Sequence, residues 1–339
     1  MTDLLDRHDV LLADLDGTLY QGPEAVPGAV EAIQGAVARG VRTAYVTNNA
    51  SRRPSDVAAH LAELGFPAVE ADVVTSSQAA AAMLAEQLAP GSAVLVVGTD
   101  ALGEEITHVG LTVTTEAATA AAVVQGHSPD TGWRKLAEAT VALRAGAVWV
   151  ACNLDPTLPT ERGPLPGNGS MVAALRMGSG KEPQVAGKPA AALVDASVRR
   201  TGARRPLMIG DRLDTDIEGG RVAGMPTLLV LTGVSDAAEL LAAPPDRRPD
   251  YVAADLGALT RDADELMPGP RPGWSVEGEA GHWTLASEGG DDPVDALLVL
   301  CGAHWAAGGG LATVRGADGR ATGVLDALGL SEASATVRS

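Results

Sequence analysis

The chain has 339 residues, enough for two or three domains that each bury a core, and 46% of it is apolar. Lys and Arg number 25 against 43 Asp and Glu, a net charge of −18, so the average surface repels a phosphate backbone and argues against nucleic acid as a partner. Two cysteines, Cys152 and Cys301, stand far apart in the sequence and form no disulfide or metal-ligand pattern, which fits a reducing cytoplasm.

The opening MTDLLDRHDV alternates charged and apolar positions without a basic start and an apolar core, so a secretion signal is not expected. Val10–Ala13 reads as a buried strand, and residues 28–39 as a helix with Pro27 before it and Gly40 just beyond it. A second strand over 43–46 leads to helices over 55–64 and 77–88. A further α/β series then runs through strand Ala93–Val97, a helix at 101–107, strand 121–124, helix Trp133–Arg144 and strand 147–151. It closes in a Pro/Gly-rich loop over 156–169. The apolar run 184–186, a helix at 190–200 and strands at 207–209 and 227–231 return to the first series. This alternation predicts an α/β fold with a doubly wound parallel sheet. The expected core is 1–90 with 184–264, and the expected insertion, placed to act as a lid, is 91–183.

Residues 268–273, PGPRPG, read as a linker to a small C-terminal α/β unit over 274–339, with 282–285 and 295–307 as its elements. The uncharged stretch 296–314 is the one candidate for a membrane span, but it contains His304 and Gly308-Gly309-Gly310, so a buried helix followed by a turn is expected instead.

Four strand ends carry the chemistry. Asp14-Leu15-Asp16-Gly17-Thr18-Leu19 follows the first strand, and alternation along an extended segment lets Asp14 and Asp16 project to one side while Leu15 faces the other. One carboxylate can then attack phosphorus while the other handles protons, although a helix cap or solvated turn would use the same residues. Thr47-Asn48-Asn49 ends the second strand, where a hydroxyl and neighbouring amides suit phosphate oxygens; Asn-Asn also makes ordinary turns. Gly187-Lys188-Pro189 offers a cation for a transferring phosphoryl group, where a lone Lys is by default a surface residue. Gly210-Asp211-Arg212-Leu213-Asp214-Thr215-Asp216 suits magnesium, a hard ion held by one or two carboxylates, and equally suits an acidic helix start.

Together these four motifs resemble the haloacid dehalogenase (HAD) superfamily of phosphohydrolases, in the branch with a large α/β cap inserted between the Thr and Lys motifs. The resemblance implies Asp14 as nucleophile, Asp16 as general acid/base, and Thr47, Asn48, Asn49 and Lys188 as phosphate-binding residues. It further implies Mg2+ held by Asp14, the Asp16 backbone carbonyl and Asp211, with Asp216 as a supporting carboxylate. Asn153-Leu154-Asp155 with Pro159, Gly163 and Pro166-Gly167-Asn168-Gly169 resembles a loop of the nitrophenyl-phosphatase-like subgroup, whereas Gly126-His127-Ser128-Pro129-Asp130 keeps that pattern only loosely. With its C-terminal extension the whole plan resembles actinobacterial glycerol 3-phosphate phosphatases, which implies a small phosphate monoester as substrate, glycerol 3-phosphate first. A broad-range sugar, nucleotide or pyridoxal phosphate phosphatase is the alternative. An inactive phosphate-ligand sensor and phosphotransfer to an acceptor other than water stay open. No membrane insertion is expected. The C-terminal pattern resembles part of an acetyltransferase-like fold too short for acetyl transfer, with packing on the core or a homodimer contact as its expected role.

Overall fold

The computed structural model of the chain describes residues 2–158, 162–279 and 281–331. The chain divides into two compact units, Met1–Thr43 with Arg204–Ser339, and Ala44–Ala203. These boundaries differ from those read from the sequence.

In the first unit four parallel strands lie side by side in the order Val10–Ala13, Pro206–Gly210, Thr227–Val230 and Tyr251–Ala253. The first, third and fourth are buried at every position, the pattern of parallel strands covered on both faces. The helix Ala29–Ala38 runs between Gly28 and Gly40 as the punctuation predicted, and Ala29, Ile33 and Ala36 are its fully buried positions.

The C-terminal residues belong to this same unit. Trp274–Glu279 pairs antiparallel with His282–Ser287, which pairs parallel with Thr313–Gly316. Helix Pro293–Ala306 starts at an Asp292 cap with proline in its first turn. It buries Ala296, Leu297, Leu298 and Leu300 in one cluster with Leu213, Ile217, Leu229, Leu240 and Val252. The proline-rich segment 268–273 therefore joins two parts of one core, and the Arg271 guanidinium pins it to the carbonyls of Glu265 and Met267. The uncharged stretch is this helix and a glycine turn. Among the described residues no helix is long and apolar enough to cross a membrane.

In the second unit residues 45–47 of the strand Arg42–Thr47 pair in parallel with Val73–Thr75, a strand too short to stand out in the sequence. Thr75 also caps the helix Ser76–Gln87 in a reciprocal capping box with Gln78. A separate sheet of five parallel strands runs in the order Gln184–Val185, Val148–Ala151, Ala122–Gln125, Ala93–Val97, Thr112–Thr114. Gln184–Val185 thus joins the sheet of the middle block rather than beginning the return to the first series. The loop 156–169 contains a short hairpin, Thr157–Leu158 with Leu165–Pro166, and the helix Asn168–Ser179 begins within it. Pro159 lies outside the described residues.

Candidate active site

In the first unit, the strand Val10–Ala13 ends on Asp14, whose backbone N–H donates to the Ile209 carbonyl at 2.9 Å and so continues the parallel pairing by one residue. Leu15 is 1% exposed, Asp14 is half-buried and Asp16 is exposed, which is the alternation that the extended segment predicted. The chain then turns sharply: Gly17, at φ +84°, donates its N–H to the Tyr20 carbonyl at 2.8 Å, a conformation that costs a side-chain-bearing residue strain. Thr232 secures the turn by donating its hydroxyl to the Gly17 carbonyl at 2.6 Å.

Asp211 follows the strand Pro206–Gly210 and is fully buried. Its Oδ2 accepts the Val234 N–H at 2.7 Å, and its carbonyl accepts the Ser235 N–H at 3.0 Å. Asp216 sits one turn further on, in the π-helical segment Leu213–Ile217, where its Oδ2 accepts the Arg212 N–H at 3.1 Å. A carboxylate oxygen from each of Asp14, Asp211 and Asp216 lies within 4.8 Å of the other two. Three anions so close, two of them buried, repel one another unless a cation sits among them. The surroundings are cut to fit. A Cβ on Gly17 or Gly233 would overlap the Asp211 carboxylate, and a Cβ on Gly210 would overlap that of Asp216. An all-oxygen donor set of this kind fits magnesium. Asp214, beside the cluster in sequence, has its own partner: burial alone would raise its pKa, but the Arg212 guanidinium at 2.9 and 3.0 Å holds it below the usual range.

In the second unit, Thr47 ends the strand Arg42–Thr47, is 3% exposed, and accepts the Asn49 N–H on its hydroxyl at 3.0 Å. The Asn49 side chain holds the turn, its Oδ1 accepting from the Ser51 N–H at 2.8 Å and the Ser51 hydroxyl at 2.6 Å. Lys188 is 2% exposed, with Nζ donating to the Val46 carbonyl at 3.3 Å, so it is far from the surface lysine that the residue type suggests by default. The Asn48 side chain bonds the Lys188 backbone on both sides, at 2.8 and 3.0 Å.

Of the residues read from the sequence, Asp14, Asp211 and Asp216 come together in one cluster, and the Asp16 side chain is outside it. Asn48 and Lys188 come together in the second unit, where Lys188 Nζ meets the carbonyl of Val46, the residue before Thr47. Two features were missed. The backbone donor at Val234 carries no residue-type signal, and only the glycine after the strand Thr227–Val230 hints at it. The bond from Asn153 Nδ2 to the Asn48 carbonyl, at 2.7 Å, links a loop noted for its asparagines to the Thr47 turn.

Three clustered carboxylates beside a parallel α/β sheet suit a metal-assisted hydrolase, and the chain belongs to the haloacid dehalogenase-like hydrolases. Residues 11–112 match that family, residues 185–259 match the HAD-hydrolase-like family, and residues 271–330 match the GCN5-related N-acetyltransferase-like domain. The chain is 50% identical over 315 residues to the D-glycerol 3-phosphate phosphatase of Mycobacterium tuberculosis, covering 91% of this chain and 88% of that protein. It is 41% identical over 226 residues to a 5'-nucleotidase of Bacillus subtilis, covering 66% and 87%. Among solved structures, a Mycobacterium tuberculosis glycerol phosphate phosphatase in complex with magnesium aligns with a TM-score of 0.91 at 49% identity, over 97% of this chain and 99% of that one. A single mutant of a thermostable NPPase from Geobacillus stearothermophilus aligns with a TM-score of 0.68 at 30% identity, over 74% of this chain and 97% of that one.

Proposed function

We propose that this chain hydrolyses phosphate monoesters with magnesium, through a phospho-aspartate on Asp14, and that glycerol 3-phosphate is its preferred substrate. The observation that carries the reaction class is the Asp14, Asp211 and Asp216 cluster in its glycine-lined cradle. The substrate rests on the 50% identity to a D-glycerol 3-phosphate phosphatase over 91% of the chain.

In the first step the Asp14 carboxylate attacks phosphorus, the ester P–O bond breaks, and the Asp16 carboxyl gives its proton to the departing alkoxide. In the second, Asp16, now ionised, takes a proton from the water that attacks phosphorus, and inorganic phosphate leaves Asp14 free. The exposure of Asp16 suits a group that must meet both alcohol and water. Asp14, Asp211 and the Asp16 carbonyl, with Asp216 in support, would hold magnesium, which would supply positive charge against the phosphoryl oxygens. Thr47 and Lys188 hold phosphoryl oxygens, a role supported by the burial of both side chains.

The sheet block from Ala93 to Val185 selects the leaving group, the C-terminal segment is structural, and the protein works in the cytoplasm, returning glycerol from glycerophospholipid turnover. A homodimer would use surface outside the catalytic residues. The 41% identity to a 5'-nucleotidase favours nucleotides as the second substrate class. Phosphate release from glycerol 3-phosphate, UMP, pyridoxal phosphate and phosphoglycolate, with magnesium and with EDTA, tests both levels. Magnesium-dependent release with the highest kcat/KM on glycerol 3-phosphate is expected. A roughly tenfold preference for another ester overturns the substrate, and no turnover of any ester returns the sensor reading.

A further inference from the structure

The amide of Asn48 does something that a phosphate ligand has no need to do. Its Oδ1 accepts the Lys188 backbone N–H at 2.8 Å and its Nδ2 donates to the Lys188 carbonyl at 3.0 Å. A side-chain amide carries the same donor and acceptor as a peptide group, so this pair reproduces the two-bond exchange of one residue in a β-ladder. Bonding both the N–H and the C=O of one residue fixes its backbone and hence the direction of its Cβ. The far end of Lys188 is tied to the same short segment, where Nζ donates to the Val46 carbonyl at 3.3 Å.

Asn48 is itself braced. Its carbonyl accepts from Asn153 Nδ2 at 2.7 Å and from the Ser76 hydroxyl at 2.6 Å, and its Nδ2 also reaches Asp155 Oδ1 at 3.3 Å. Asn168, 1% exposed, extends the chain of amides by donating to the Asn153 carbonyl at 2.7 Å. Gly187 makes the approach possible, because a Cβ there would stand 2.6 Å from Asn48 Oδ1 and 2.5 Å from the Cys152 carbonyl.

We propose that Asn48 is a positioning residue for Lys188, and that through it the placement of the Asn153-Leu154-Asp155 loop sets the placement of the ammonium group. This rests on the assignment of Lys188 as a holder of phosphoryl oxygens. Displacing a binding group by about 1 Å costs on the order of 100-fold, so Asn48→Ala is expected to lower kcat/KM by roughly 10- to 100-fold.

The decisive experiment is a double-mutant cycle read by calorimetric binding of orthovanadate to the magnesium-loaded protein, which needs no turnover. Asn48→Ala and Lys188→Met each weaken vanadate binding, and the double variant binds no more weakly than Lys188→Met alone. Losses that multiply in the double variant overturn the proposal, because Asn48 then acts on the anion by itself. If Lys188→Met binds vanadate and turns over as the wild type does, the assignment of Lys188 fails first, which is a different result. Asn153→Ala, which leaves the clamp in place and removes its brace, gives a second cycle should Asn48→Ala not fold. Its smaller loss must likewise vanish in the Lys188→Met background, and persistence of that loss overturns the coupling.

Discussion

The two ends of the first unit use their residues in opposite ways. Around Asp14 the fold gathers like charges and strips away side chains, leaving Gly17, Gly210 and Gly233 where any Cβ would collide with a carboxylate. Between residues 271 and 330 it fills volume instead: Trp274, Trp283, Leu285 and Leu297 are buried, and the one buried histidine there, His304, is a structural acceptor. Trp283 donates its indole N–H to His304 Nδ1 at 3.0 Å, which leaves the proton on Nε2 to meet the Gly310 carbonyl at 2.9 Å. The carboxylate end is destabilising without a cation, while the C-terminal end contributes apolar cover to the same core, including Leu213 and Ile217 on the Asp211 to Ile217 segment. The segment that matches an acetyltransferase-like domain thus packs its apolar side chains into this core.

That contrast breaks most sharply at Asp14. Asp14→Asn should lower kcat at least about 1,000-fold, as expected when a nucleophile is removed. Its urea midpoint without magnesium should stay level or rise, because one of three crowded charges is gone. Gly233→Ala comes next: displacement of Asp211 should cost on the order of 100-fold in kcat/KM. It should also shrink the magnesium-induced rise in Tm, which for an intact site reflects about 2.7 kcal/mol at a hundredfold excess over Kd.

At the other end, Trp305→Ala removes the indole bond to the Leu241 carbonyl at 3.1 Å and the face over which the Arg248 guanidinium lies at 5.2 Å. It should destabilise the protein by roughly 2–3 kcal/mol and leave kcat/KM at 25 °C within about twofold. A parallel loss of activity would make the C-terminal segment part of the catalytic machinery. The smallest effect is at His8, 5% exposed and edge-on to Tyr251 at 6.3 Å, which burial pushes below the ordinary histidine range. The unfolded state then binds the extra proton, so this group withdraws stability as pH falls below about 6.5. Urea midpoints at pH 7.5 and 5.5 should separate further in the wild type than in His8→Gln, and equal separations would place the pH dependence elsewhere.

Legibility in the sequence followed physical cause. Val10–Ala13 was readable because a strand buried on both faces must be apolar throughout, and Asp14, Asp16, Lys188 and Asp211 stood out as candidates because each stands next to a glycine or a strand end. Val73–Thr75 was not, since three residues carry no period, and the run 184–186 was read but placed in the wrong sheet, because only spatial pairing assigns Gln184–Val185. The roles of Asn48 and Val234 were hidden for another reason. A side-chain amide or a backbone N–H bonds whatever lies beside it, and Lys188 lies 140 residues away from Asn48 in the chain.

The central claim is a covalent phosphoryl group on Asp14, and it can be looked for directly. Enzyme quenched in acid during turnover of glycerol 3-phosphate is treated with borohydride, which reduces an acyl phosphate to the alcohol, and the peptide containing residues 10–16 is sequenced by mass spectrometry. The account predicts reduction of the side chain at position 14, dependent on substrate and magnesium. Reduction at another carboxylate, or none at any residue while phosphate is released, would contradict it.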